Sequence, residues 1–143
     1  MQCQVRAWVP AALMRSVRRA STARHLCTMS NSISDGDPEN ADVLRRMVQD
    51  GDDLSIARDI DFSVVFPTED SATKFSDIFR VQGLSAKVEE ANCAPGLPWD
   101  VVVVRNMVPT NAAISAFELH LQEAATPFDG RNDGWGCFEA KHV

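Results

Sequence analysis

The sequence has few of the residues that build metal sites and nucleophilic centres. Its four cysteines include no CxxC pair, and neither they nor its three histidines cluster at the spacing that binds zinc or iron. We therefore predict no metal site and no cofactor, and unpaired cysteines suit a reducing compartment. The dispersed residues are Cys3, Cys27, Cys93, Cys137, His25, His120 and His142.

The sequence also lacks the local patterns of the common enzyme classes. No His or Cys stands in a recognisable nucleophile context, and no glycine loop of the phosphate-binding kind follows a predicted strand. Carboxylates are plentiful, and paired acids can act as general acid and base. Solvated surface charge explains most of them more simply, so we expect no catalytic residues and a protein that is not an enzyme.

Long apolar runs and tyrosine are both missing. No run approaches the roughly 18 to 20 residues that a membrane-spanning helix needs, so no membrane partner is predicted. The absence of tyrosine removes one of the side chains on which RNA bases stack, and the phenylalanines fall mostly at helix or core positions. A single-stranded RNA-binding domain is therefore an alternative and not the leading interpretation.

Acidic residues are missing from the first 30 positions, which hold five arginines. All 20 acids lie in residues 31–143, against nine lysines and arginines. A body of this charge repels polyanionic nucleic acid and attracts basic partners. We therefore expect a protein partner with a basic segment, and no direct contact with nucleic acid.

Residues 1–30 have the Arg-, Ser- and Ala-rich composition of an organelle presequence. A disordered extension is the alternative, and Met29 is then a candidate for the true start. The presequence predicts a mitochondrial or plastid protein, whereas a start at Met29 predicts a cytoplasmic one. Residues 31–39 are almost all turn and linker formers, so we predict a linker there and the folded domain at 40–143.

The hydrophobic pattern predicts regular structure from the end of that linker onward. A short helix is capped by Asn40 or Asp37. Alternation of apolar and polar residues predicts a strand over 59–66. Thr68 is a good cap for the helix that follows, and Gly83 closes it.

The second half of the domain repeats this pattern. Residues 84–89 alternate and predict a second, more exposed strand, and residues 91–98, with two prolines, separate it from a third. The third strand begins at Trp99 and contains four consecutive valines, which are typical of a central strand. Thr110 belongs to the start of another helix, whose polar side carries Glu118.

The resulting order of strand, helix, strand, strand, helix, strand is that of the ferredoxin-like split βαβ fold. We therefore predict an α+β sandwich in which two helices cover one face of an antiparallel sheet, with the short N-terminal helix in addition. The opposite face of the sheet is left for the short helix, a partner or solvent. Besides the valines, the predicted core contains Phe62, Phe66, Phe75, Phe79 and Phe117.

The rarest local pattern is the sequence Asp-Gly-Trp-Gly at positions 133–136. Two glycines place a large apolar ring beside backbone that bends or is closely approached. We favour a structural role, in which the motif opens the last strand and the ring fills the core, over a recognition surface. The structural positions are Gly83, Trp99, Gly134 and Gly136, and the candidate partner contacts are Asp129, Asp133 and Trp135.

Three earlier features agree with this motif in order and spacing: Gly51-Asp-Asp, Arg58-Asp-Ile-Asp-Phe and Gly83-Leu. With them, residues 40–141 resemble the regulator of ribonuclease activity B family, the bacterial protein inhibitors of ribonuclease E. The family commonly reads Tyr-Asp-Gly-Trp-Gly-Thr near its end, from which Asn132 and Cys137 depart.

The resemblance implies a ferredoxin-like fold and a non-catalytic regulator that binds a ribonuclease through protein contacts. With the charge pattern, it predicts an acidic surface that binds a basic segment of the partner. Members of the family typically end in a strongly acidic tail, whereas this sequence reads Lys141-His142-Val143 there. An interaction module with no ribonuclease target is therefore a further alternative.

Overall fold

A computed structural model describes residues 36–140 of the 143, and the predictions for residues 1–30 lie outside that part. Three α-helices and four strands follow one another along the described chain. Among these helices none is long and apolar enough to cross a membrane. The elements are α1 (Pro38–Gln49), β1 (Arg58–Phe66), α2 (Glu69–Val81), β2 (Ser85–Ala94), β3 (Leu97–Met107), α3 (Asn111–Ala125), a 3-10 turn (Thr126–Phe128) and β4 (Arg131–Cys137).

The four strands form one antiparallel sheet in the order β2-β3-β1-β4. Strand β1 lies in the interior of the sheet, and Phe62 pairs with Val103 on one side and with Trp135 on the other. Helix α2 connects β1 to β2 and helix α3 connects β3 to β4, and in both cases the two strands are not neighbours in the sheet. This order confirms the predicted α+β, ferredoxin-like arrangement.

The helix boundaries follow from their caps. Thr68 and Thr110 have extended backbones and accept hydrogen bonds from the amides three residues later, so each begins a helix as predicted. Asp37 caps α1 by accepting from the amide of Glu39. Asn40, the other candidate cap, lies inside α1 and is 1% exposed, so its amide serves a different purpose.

The core lies between the helices and one face of the sheet. Its aromatic rings form a connected set, with ring centroids 4.7 Å apart for Phe62 and Phe117 and 4.8 Å apart for Phe66 and Phe75. Contacts of this kind add to the free energy gained by removing the rings from water. All five predicted phenylalanines are buried, and the two fully buried valines of β3 are Val101 and Val103.

Helix α1 packs on the helical side of the sheet, against α3. Val43, Leu44 and Met47 join the same core as the phenylalanines. Three occupants were predicted for the opposite face of the sheet, and the prediction that the short helix covers it is therefore wrong. The apolar stripe of α1 is buried in this core, against α3, so it does not cover the other face of the sheet.

The hairpin between β2 and β3 is tighter than the sequence indicates. The predicted separating segment, 91–98, is largely strand, because β2 continues to Ala94 and β3 begins at Leu97. The turn is left to Pro95 and Gly96, and the latter has a φ of 73°. Prolines are tolerated here because the register is irregular between Glu90 and Ala94.

Candidate protein-binding site

The tryptophan of the 133–136 motif faces the helices. Trp135 lies in β4 opposite Phe62 and is 2% exposed. Its indole Nε1–H donates a hydrogen bond of 2.8 Å to Oδ1 of Asn40 in α1. The ring therefore fills the core, and its single polar atom is satisfied by the helix that covers it.

A buried network extends from this indole. The amide of Asn40 donates to Oε2 of Glu118 at 2.8 Å and to the hydroxyl of Ser115 at 3.0 Å. The amide of Asn132 donates to the other carboxylate oxygen of Glu118, also at 3.0 Å. One carboxylate on α3 thus joins α1 to β4. Among the described residues every buried side-chain nitrogen and oxygen has a hydrogen-bond partner, as such burial requires.

The prediction that Glu118 lies on the polar side of its helix is wrong. Glu118 is 6% exposed and lies between Phe117 and Leu121, which belong to the core. A charged side chain next to an apolar stripe is normally solvated. Here it is buried because amides from two other elements reach it, and no periodic pattern in the sequence reveals such long-range partners.

The two glycines of the motif lie inside β4 and not in the turn before it. Gly134 has a φ of 117°, and the pairing with β1 shifts register beside it, so that Asp133 is an extra residue in the strand. The turn itself comes earlier, at Asp129 and Gly130. There an added Cβ on Gly130 would overlap the ring of Phe66.

The opposite face of the sheet is rich in acid. Along β1, the residues that alternate with the core positions are Asp59, Asp61, Ser63 and Val65, and Asp100 pairs with the last of these. We call this surface the acidic face. Its carboxylates are Asp59, Asp61, Glu89, Asp100 and Asp133, and its cations are Lys87 and Arg131.

Asp100 lies where burial and nearby carboxylates disfavour its ionised form. Its pKa is raised from 3.8 to about 6, chiefly by burial; a hydrogen bond from Ser63 lowers the pKa, and nearby Glu89 and Asp133 contribute to raising it. That hydroxyl donates to Oδ1 of Asp100 at 2.5 Å. The acidic face therefore holds a carboxylate that a neighbouring cation would stabilise.

The three candidate partner contacts do not share one surface. Asp133 is 8% exposed and close enough to Asp100 to affect its pKa. Asp129 is exposed in the loop before β4, where its φ is 58°. Trp135 is buried on the helical side of the sheet. The candidate contacts predicted from the sequence do not include Asp59, Asp61, Glu89 or Asp100, although the alternation along β1 contains the signal for the first two.

Comparison with protein families gives a match over residues 37–137 to the family described as Regulator of ribonuclease activity B. The chain belongs to this family. A comparison with curated proteins gave no match. Because the RraB family consists of regulators of a ribonuclease, membership supports a regulatory, protein-binding role for the chain.

Two of the three early features that resemble the RraB family, those that contain Asp52 and Arg58, contact the end of the domain. Arg58 Nη1 lies 2.8 Å from both carboxylate oxygens of Asp52 and 3.1 Å from the carbonyl oxygen of Phe138. Its Nη2 donates to the carbonyl of Asp53 at 2.6 Å. This buried ion pair joins the loop before β1 to the segment after β4, so these features are architectural.

The two departures from the usual RraB motif are both accommodated in the interior. Asn132 donates to Glu118, as described above. Cys137 is 6% exposed and pairs with Ile60, and burial raises the pKa of its thiol. A buried thiol of raised pKa is a poor nucleophile. Within residues 36–140 no group of three His, Cys, Asp or Glu side chains is placed to hold a metal ion.

Proposed function

We propose that the chain is a non-catalytic regulator that binds a ribonuclease, and that the acidic face receives a basic segment of that partner. One observation carries the proposal: among the described residues, five carboxylates from four strands lie on one face of the sheet with two cations among them. Complementary charge of this kind selects partners and accelerates their association.

The exposure of these residues suits an extended segment. Asp59 and Glu89 are exposed, whereas Asp61 and Asp100 are half-buried. A lysine or arginine beside Asp100 would favour its ionised form. The affinity for a basic segment should therefore increase as the pH rises through about 6, where Asp100 loses its proton. Asp129 lies in the loop before β4 and would contact a longer segment, while Trp135 acts by holding β4 in place.

The proposal is tested by titrating the full chain with an Arg-rich peptide taken from a ribonuclease of the same cell. Binding is expected at about 20 mM salt and should weaken strongly at about 500 mM salt. The double variant Glu89→Gln/Asp100→Asn should bind about tenfold more weakly. The control Asp50→Asn/Glu123→Gln removes two exposed carboxylates from the helical side and should bind within about twofold of the original protein.

Two results would reject the proposal. No binding at low salt would exclude the electrostatic contact, and an equal loss in both double variants would show that net charge and not the acidic face is responsible. A parallel titration with single-stranded RNA separates the leading function from the RNA-binding alternative, because phosphate is repelled by carboxylates. Tight RNA binding by the full chain would favour that alternative.

A further inference from the structure

A small cleft lies on the helical side of the sheet, remote from the acidic face. It opens between the first half of α3 and the end of β3, and its volume is about 270 Å³. Arg105 pairs with Ile60, a core position, so its side chain leaves the sheet on the helical side. The lining residues are Arg105, Met107, Ala113, Ala116, Phe117 and His120.

Two nitrogen-bearing side chains stand over the apolar wall of this cleft. The guanidinium carbon of Arg105 is 4.7 Å from the centroid of the Phe117 ring, a cation–π geometry. The ring of His120 packs against Phe79 and Phe117, with centroids 5.7 and 6.2 Å away. Both side chains are exposed. Within residues 36–140 neither forms an ion pair.

Arg105 has no carboxylate partner among the residues that the structure describes, although acids outnumber bases in the sequence. The contact with Phe117 places the guanidinium over the ring, and Arg105 is also one of the residues that line the cleft. A planar fork of donors fixed in this way matches a carboxylate. The wall beneath it is apolar, formed by Met107, Ala113 and Ala116.

We propose that this cleft binds an acidic segment of a protein partner, in which an apolar side chain stands next to a carboxylate. The apolar side chain would enter beside Met107 and Ala116, and the carboxylate would pair with Arg105 and His120. The volume is smaller than the roughly 300 to 1,000 Å³ of sites that enclose a whole ligand, which favours one side chain of a peptide over a free small molecule.

This surface is independent of the proposed acidic face. The two lie on opposite sides of the sheet and attract segments of opposite charge. A partner segment with both kinds of charge, or two partners, would therefore contact the domain at two places at once, which raises the apparent affinity without any new contact. Failure at one surface leaves the other open to test.

The experiment follows the backbone amide signals of the full chain by NMR while short blocked peptides are added. The panel places Phe, Trp or Leu before Asp or Glu, and a second panel replaces the acid by its amide. The acidic peptides should shift signals around residues 105–120, and the amide panel should bind about fivefold more weakly.

Matched variants locate the contact. Arg105→Gln should weaken binding about fivefold or more. Arg46→Gln removes an exposed arginine from α1 and should leave the affinity unchanged. Ala116→Leu keeps the charge but fills the cleft, and it should also abolish the shifts. Ala116 is exposed and leucine is a good helix former, so this variant should fold.

Three results would overturn the proposal. In the first, no peptide of the acidic panel shifts these signals at about 5 mM, a concentration that detects very weak binding. In the second, the amide panel binds as well as the acidic one. In the third, Arg105→Gln and Arg46→Gln lower the affinity equally, which would assign the effect to net charge.

Discussion

Asp100 has a carboxyl group that the folded protein holds in a partly dehydrated position. Its pKa is raised from 3.8 to about 6, with burial as the largest cause. Between about pH 4 and 6 the folded state therefore binds a proton that the unfolded state has lost. Stability falls as pH rises through this window, because the folded protein must then carry the buried charge.

Asp100→Asn removes this dependence. The amide can still accept from Ser63 and carries no charge, so the free energy of unfolding at pH 7 should increase by about 1–2 kcal/mol, after a discount for partial exposure. At about pH 3 the same substitution should have little effect, because Asp100, with an ordinary pKa of 3.8, is then largely protonated in both states. Urea unfolding at the two pH values measures this. Equal effects at both would contradict the assigned cause.

Trp135 is buried, and its indole has one hydrogen bond. Trp135→Ala should lower the free energy of unfolding by about 3–5 kcal/mol, because it leaves a large cavity. Trp135→Phe retains most of the ring but leaves Oδ1 of Asn40 without its donor, which should cost about 1–3 kcal/mol.

Thermal unfolding and the partner titration together decide between the two roles of this tryptophan. Trp99→Phe, which changes a half-buried indole in the hairpin, is the control for Trp135→Phe. Loss of stability in Trp135→Ala supports the structural role. An unchanged melting temperature with lost partner binding would instead make Trp135 a contact residue.

At the scale of elements, α1 is held by polar contacts as well as by apolar packing. It buries Val43, Leu44 and Met47, but it is oriented by Asn40, which contacts both Trp135 and Glu118. Helices of this length gain most of their stability from packing against the rest of the protein. The network therefore sets the position of α1 on α3.

Asn40→Ala should loosen α1 specifically. It leaves the indole N–H and one oxygen of Glu118 without these partners, at a cost of about 2–4 kcal/mol. Hydrogen exchange of the α1 amides should accelerate more than exchange in β1 or β3. Asp42→Ala, which breaks an exposed ion pair with Arg45 in the same helix, is the control and should cost less than about 1 kcal/mol. Uniform acceleration across the domain would contradict a local role.

Elements with a single buried face were predictable from the sequence. The alternation along β1 and the Thr68 and Thr110 caps reflect local rules, and the structure confirms them. The network was not predictable, because Asn40, Glu118 and Asn132 are polar residues that become internal only when three distant segments meet. The acidic face was predictable only in part. The alternation along β1 indicates that Asp59 and Asp61 share a face, but the position of Glu89 and Asp100 beside them depends on the register between strands, which no single strand encodes.

At the scale of the whole molecule, the sheet separates two charge environments. The acidic face lies on one side, and the Arg105 cleft lies with the helices on the other. The family signature residues belong mostly to the architecture between them. A family match therefore identifies the scaffold more directly than it identifies the partner.

The compartment determines which ribonuclease the chain can meet, and the first 30 residues carry two predictions for it. Mass spectrometry of the protein purified from its own cell should find either a new N-terminus near the predicted linker, in an organelle, or a start at Met29, in the cytoplasm. A protein that retains residues 1–28 would contradict both and would support the alternative of a disordered extension.

The contact between Arg58 and the segment after β4 also has a consequence for how the domain folds during its synthesis. Ile60 pairs with Cys137, so one edge of β1 has no strand beside it until almost the whole domain has emerged from the ribosome. An unpaired strand edge with Phe62 and Val64 nearby is a template for unwanted pairing with other chains. We therefore expect the nascent chain to need chaperones until β4 has been synthesised and pairs with β1. The buried ion pair of Asp52 and Arg58 can then form its contact with the segment after β4.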